Sequence, residues 1–329
     1  MKKRLVAGIM AGLMAISVLA TGCGSKSSGD GTFTPTKTIQ WMCTSSAGGG
    51  SDIFTRKISD IMTAENLVNG QTIVVTNKTD GSGEVGRNEV ATMKKNADNQ
   101  LLTFNSGDLM PMVTNTKNRS SNFRILAIMA EDKQLLFRGE SATYQTFAEV
   151  IDALKAGNKV VIGGSKGDDI ATYQALAAEL GVSEDLLTYI TYDSTGDAIT
   201  AALGGHVEYV IAKPAAASEY VEAGSLIPIL ALANERYTGN LADAPTLSEL
   251  GDYENVEVPV WRGVAAPAEM SDAAVAYWSE VLKTVSETDA WKTEYIEANK
   301  LIANYMDTAA ATEYVTKYEA DYMAENGLQ

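Results

Sequence analysis

The sequence predicts an α/β fold of parallel sheets covered by helices, and three observations predict it. Strand-like and helix-like stretches alternate from residue 38 onward, Gly-rich turns separate them, and 45% hydrophobic against 21% charged residues supply a large core. The chain has 329 residues, and without its leader 307 remain, room for two domains of about 150 residues each.

The leader comes first in the chain. Lys2, Lys3 and Arg4 precede an apolar run from Leu5 to Ala20, too short and wrongly flanked to span a bilayer, so residues 1–22 read as a signal peptide. Leu19-Ala-Thr-Gly-Cys23 resembles a lipobox, with Ala20 where leucine is usual, which makes Cys23 an acylated mature N-terminus. The localisation expected is extracytoplasmic, lipid-anchored to a bacterial cell membrane, with Cys23 as the only membrane attachment. Residues 23–37 are rich in Ser, Gly, Thr and Lys and read as a flexible tether.

Beyond the tether, Thr38–Cys43 reads as a strand. Asp52–Glu65 follows as a helix, with Ile53, Phe54, Ile58, Ile61 and Met62 at helical spacing. Thr72–Asn77 is a β-branched strand, Glu84–Lys95 a helix and Leu101–Asn105 a strand. The alternation resumes with Lys159–Gly163, Ile170–Leu180, Leu187–Tyr192, Asp197–Leu203, Val207–Ile211 and Pro214–Ala223. After Trp261 the chain reads as mostly helical, over Asp272–Ser286, Ala290–Asn299 and Ala309–Glu325, and no internal repeat is visible.

Charge and composition exclude several functions. The net charge of −16 becomes about −19 without the three leader cations, which opposes nucleic-acid binding but leaves room for a small anion held by backbone N–H groups. Cys43 is the sole cysteine besides Cys23 and reads as a buried strand residue, so no internal disulfide or Cys-based metal site can form. His206 is the only histidine and sits at a turn, which removes His-cluster metal sites and leaves no nucleophile paired with a base. No cofactor is expected.

The chemistry concentrates in loops that end strands and open helices. Thr44-Ser-Ser-Ala-Gly-Gly-Gly-Ser-Asp52 has more glycine than a helix cap requires, and it offers close backbone approach and free N–H groups to an anion. Asn77-Lys-Thr-Asp-Gly-Ser-Gly-Glu-Val-Gly86 contains the dinucleotide pattern G-x-G-x-x-G, with Asp108 near the distance of a ribose contact. Export, the position after a second strand and the similar preceding loop argue against a nucleotide. Val160-Val-Ile-Gly-Gly-Ser-Lys-Gly-Asp168 and Tyr192-Asp-Ser-Thr-Gly196 repeat the arrangement, and together the four loops describe a clamp.

In this order the loops resemble those of the tripartite tricarboxylate transporter substrate-binding proteins, the TctC or Bug group. Ala47-Gly-Gly-Gly-Ser-Asp52 looks like the family's first ligand loop and Gly81-Ser-Gly-Glu-Val-Gly86 its second, with Asn77 upstream. Gly164-Ser-Lys-Gly167, Ala202-Leu-Gly-Gly-His-Val-Glu208, Pro245-Thr-Leu-Ser-Glu-Leu-Gly251 and Trp261-Arg-Gly263 with Ala266-Pro267 complete the series, over about residues 38 to 329. Thr44-Ser45, Asn99, Tyr173 and Asp193-Ser194 depart from the family pattern, and Asp193 stands where it could repel a ligand carboxylate or pair with an amine.

The resemblance implies a two-lobed periplasmic binding protein, type II-like, each lobe a sheet flanked by helices and joined by hinge strands. Lobe one would be 38–133 plus 255–329 and lobe two 134–254. It implies a monomer that closes on a small carboxylate and delivers it to the permease subunits of a tripartite tricarboxylate-type transporter. Ser46, Gly48, Gly49, Asp52, Gly81, Ser82 and Gly83 would hold one carboxylate, and Ser106 and Gly107 would line the cleft floor. Ser165, Gly167, Asp168, Thr172, Tyr192, Ser194 and Thr195 would close from lobe two. A binding protein serving a sensor or another transporter, and an anchored enzyme, remain as alternatives. Dicarboxylate, tricarboxylate, aromatic acid and amino acid are all open as ligands.

Overall fold

The structure, a computed structural model, describes residues 32–328. The signal peptide, Cys23 and the tether up to residue 31 lie outside the described residues. The chain is fastened to the fold from Phe33 onward: its ring meets Tyr277 edge-on at 5.4 Å, and the Pro35 carbonyl accepts from Asn69.

The first stretch runs β1 (Ile39–Cys43), α1 (Gly50–Ala64), β2 (Ile73–Asn77), α2 (Glu84–Ala91), β3 (Gln100–Asn105), α3 (Ser106–Asn115) and β4 (Phe123–Asp132). The middle stretch is β5 (Gln134–Gly139), α4 (Phe147–Lys155), β6 (Val160–Gly164), α5 (Asp168–Glu179), β7 (Leu187–Thr191), α6 (Thr195–Leu203), β8 (Tyr209–Ala212), α7 (Pro214–Glu222) and β9 (Leu226–Leu232). The last comprises β10 (Val260–Pro267), α8 (Asp272–Glu287), a single turn α9 (Asp289–Trp291) continued as a π-helix over Lys292–Glu297, β11 (Ile302–Met306) and α10 (Thr308–Glu325).

Two sheets result, with orders β11-β4-β10-β3-β1-β2 and β7-β6-β8-β5-β9. They are mixed, which corrects the expectation of parallel sheets. β10 runs antiparallel to both β3 and β4, and β5 antiparallel to both β8 and β9. The end of the chain is mostly helical, as expected, and two strands that the sequence did not show, β10 and β11, lie there as well. Every residue of β10 is buried, so the strand has no polar face and shows no period-2 signature. The α2 helix stops at Ala91 rather than Lys95, and a left-handed Asn96 turns the chain toward β3.

Setting β11 aside, the sheets share one layout: β2-β1-β3-β10-β4 corresponds to β7-β6-β8-β5-β9, with four strands running one way and one antiparallel insert in each. The chain passes from the first sheet to the second through Lys133 alone, between Asp132 and Gln134, and returns through residues 233–259. Trp41, Phe54, Ile58, Trp278 and Trp291 lie in the core packed on the first sheet. Phe147, Ile162, Leu176 and Tyr209 lie in that of the second. Cys43 is fully buried in β1, and burial pushes its thiol above the ordinary value. Among the described residues, no helix is long and apolar enough to cross a membrane.

Candidate functional site

The loops of interest lie at the carboxyl ends of the parallel strands, where a sheet of this kind places ligands. β1 runs into residues 44–49, and Gly49 caps α1 with no side-chain hydrogen bond, which leaves the first N–H groups of the helix without an intrahelical acceptor. Asp52 is buried and braces this loop. Its carboxylate accepts from Gly48 N at 2.9 Å, Asn77 Nδ2 at 2.9 Å and Arg56 Nε at 2.9 and 3.0 Å. Burial opposes the charge, but these donors, Arg56 foremost, hold Asp52 below the usual carboxylate range. Ser46 and Gly48 are exposed and Gly49 half-buried.

The second loop presses against the first. Gly83 has φ +85°, and a Cβ there would lie 2.7 Å from Thr44 Cβ, so only glycine fits. Gly81 and Ser82 are exposed and also left-handed. Arg87, 1% exposed, ties the turn down: it donates to Ser82 O at 2.6 Å, Glu84 at 2.6 Å and Asp108 at 2.5 Å. Asp108, at the spacing of a ribose contact, is therefore a partner of Arg87 and Thr44. At the third strand Asn105 caps α3 by accepting from Asp108 N, and its Nδ2 donates to Ser51 Oγ of α1 at 3.0 Å. Ser106 is fully buried and its hydroxyl has no hydrogen-bond partner among the described residues.

In the second sheet, Asp169 repeats the geometry of Asp52. It accepts from Ser165 N at 2.8 Å and Ser165 Oγ at 2.6 Å, four residues back, and its counter-ion is the buried Lys213 at 2.9 Å. Lys213 also pairs with Asp168, while Gln134 bridges Asp169 and Thr172. Burial works against the charge on Lys213, yet the two carboxylates hold its pKa above the ordinary value. Thr195 Oγ1 reaches Ser165 Oγ at 3.5 Å, Ser194 caps α6, and Tyr192 N donates to Gly164 O at 2.8 Å. Asp193 is exposed and neutralised by Lys166 at 2.8 Å, which pulls its pKa down.

The two sheets meet at glycines. A Cβ on Gly167 would lie 2.9 Å from both Cα and O of Gly107, and one on Gly107 would lie 2.5 Å from Asp168 Oδ1. Of the expected residues, the structure thus joins Gly107 with Gly167 and Asp168 across the sheets, and Ser165 with Thr195 within one. Ser46, Gly48, Gly81 and Ser82 make no hydrogen bond to the second sheet among the described residues. A depression of ≈ 390 Å³ lined by Thr34, Asn69, Tyr277 and Val281 lies away from these loops. Among the described residues no cluster of His, Cys, Asp and Glu could hold a metal ion.

Sequence reasoning passed over Arg87, Asp132, Gln134, Asp169, Lys213 and Arg262. Two carried a readable signal. Lys213 is a cation ending the apolar run Tyr209–Ala212, and Arg262 a cation inside the fully buried β10. A charge in such a run needs a partner, and a partner implies a polar cluster.

Two sheets of shared layout, with helix N-termini and glycine loops at the carboxyl ends of their strands, have the architecture of a periplasmic binding protein. The chain belongs to a specific family of these. Residues 55–322 match the tripartite tricarboxylate transporter family receptor, a family of extracytoplasmic binding proteins and not enzymes. Solved structures agree in fold. A TctC solute-binding protein from Polaromonas is 22% identical, with 89% of this chain and 99% of that one covered and a TM-score of 0.65. MatC from Rhodopseudomonas palustris with bound malate is 19% identical over 88% and 98%, at 0.75. Another Rhodopseudomonas palustris protein, with adipate, is 18% identical over 89% and 98%, at 0.74. No curated protein matches this sequence.

Proposed function

We propose that this chain captures a small carboxylate by closing two lobes around it, and delivers it to the membrane subunits of a tripartite tricarboxylate-type transporter. Lobe one is 38–133 with 255–329, lobe two is 134–254, and the protein acts as a monomer held to the membrane by lipid on Cys23. The observation that carries this reading is the meeting of Gly107 and Gly167, which brings the α3 and α5 N-termini of opposite sheets against each other. Backbone N–H groups at such termini suit a carboxylate. The relatives with malate and with adipate support the ligand class.

Ser46, Gly48, Gly49, Gly81, Ser82 and Gly83 serve as the face that first receives the anion, with Asp52 bracing it. Ser165, Gly167, Asp168, Thr172, Tyr192, Ser194 and Thr195 close from the other side. The ligand selects the closed state by bridging both.

Titration calorimetry of the mature, unlipidated protein against malate, succinate, adipate, citrate, glutamate and benzoate tests the reading. Binding of one acid class with compaction in small-angle scattering is expected. Folded protein that binds none of them refutes the carboxylate assignment. Cys23→Ala is expected to release the protein into the medium, and retention in the membrane fraction would refute the anchor.

A further inference from the structure

Arg262 is the most unusual charge in the molecule. It sits in the middle of the first sheet, 6% exposed, between Trp261 and Gly263 in a strand with no exposed residue. A guanidinium has five N–H donors, and taking them out of water is costly unless each finds an acceptor. One carboxylate serves it: Asp132, the last residue of β4, forms an ion pair with it. Its Nε–H is buried with no hydrogen-bond partner among the described residues. The other titratable groups near it are Asp168 of α5, already paired with Lys213, and the buried phenol of Tyr295 from the π-helical turn. Burial works against its charge, yet Asp132 keeps the guanidinium above its ordinary pKa, so it is a permanent cation.

Its aim is the second observation. A Cβ on Gly50, the first residue of α1, would stand 2.9 Å from Nη2 and 3.2 Å from Nη1 of Arg262. A cation facing a helix N-terminus is on the unfavourable end of the dipole. Two positive elements converge there, and an anion between them would satisfy both. A third donor adjoins them. Asn105 pairs with Arg262 across β3 and β10, its side chain holds Ser51 of α1, and Ser106 beside it carries the buried hydroxyl without a partner.

We propose that Arg262 holds the ligand's carboxylate against the first turn of α1, with Ser106 as a neighbouring donor and Asp132 as the internal anion that competes for the same guanidinium. This rests on the carboxylate reading above and adds the residue that supplies its charge. The site would then prefer a carboxylate strongly over the corresponding amide, which helix N–H groups alone would distinguish less.

The test uses the tightest-binding acid of the panel and its amide, measured by calorimetry on mature protein. Arg262→Gln alone strands a buried Asp132 and risks misfolding, so it is combined with the isosteric Asp132→Asn, and the pair removes both charges. This double variant is expected to lose at least tenfold in carboxylate affinity and most of its preference over the amide. Asp132→Asn alone is expected to raise carboxylate affinity several-fold, since the competing anion is gone; a merely structural role would not produce a gain. Gly50→Ala, which crowds the guanidinium while leaving all charges, is expected to weaken binding. A folded double variant with wild-type affinity, or single and double variants that weaken binding alike, would overturn the proposal. Wild-type protein that binds none of the acids would instead bring down the functional reading, and this one with it.

Discussion

The two sheets build their first glycine-containing loop by the same device and ground it differently. In each, an aspartate early in the helix reaches back to the N–H four residues before it, Asp52 to Gly48 and Asp169 to Ser165. Asp52 is paid for at the surface, by an Arg56 whose side chain is 49% exposed and by Asn77. Asp169 is neutralised in the interior, by Lys213 and Gln134. Water can replace Arg56 if it is lost. Lys213 and both carboxylates that it holds are buried, so its loss is expected to cost more.

The comparison is broken most directly at Lys213. Lys213→Met leaves Asp168 and Asp169 buried with no cation, and a loss of about 3–5 kcal/mol in urea unfolding is expected. A loss under 1 kcal/mol would mean that water reaches the cluster. Next is Gly167→Ala. Its left-handed backbone disfavours a side chain, and the new Cβ would strike Gly107, so about 2 kcal/mol and a wider particle in scattering are expected. Gly48→Ala, left-handed but with open space around it, should cost about 1 kcal/mol with no change in size.

Asp52→Asn is expected to cost about 1 kcal/mol at neutral pH, with a pH dependence that identifies the cause. The folded pKa of Asp52 is lowered, so its stabilisation is present above the unfolded carboxylate value of about 3.9 and is lost as pH falls through the folded value. Urea midpoints of wild type and variant should therefore converge below that pH, and a constant gap would refute the charge as the cause. The smallest effect is at Lys166→Gln. Its pairing with Asp193 is exposed, so a stability change within about 0.5 kcal/mol is expected, and a larger one would show that this loop is more closely packed than its exposure indicates.

The loops were legible because their glycines and caps are local signals: Gly83 for a left-handed turn pressed on Thr44, Ser194 for a cap on α6. The strands that set the sheets' character were not. β10 and β5 are buried along almost their whole length and pair with partners far along the chain, so neither periodicity nor neighbouring residues reveal their direction. The polar clusters were hidden for a related reason. Lys213 and Asp169 are 44 positions apart, and Arg262 and Asp132 still further, so their meeting depends on topology that residue spacing does not contain. The sequence leaves Asp193 open to repelling a ligand carboxylate or pairing with an amine, and the structure adds Lys166 as its partner.

Lys133 is the shortest possible bridge between the sheets, and its two neighbours are not passive. Asp132 on one side belongs to the arginine cluster, and Gln134 on the other to the lysine cluster. Three consecutive residues therefore tie the two clusters together through the backbone. On the proposed closure, a substitution at either cluster is expected to change ligand preference and the ease of opening together.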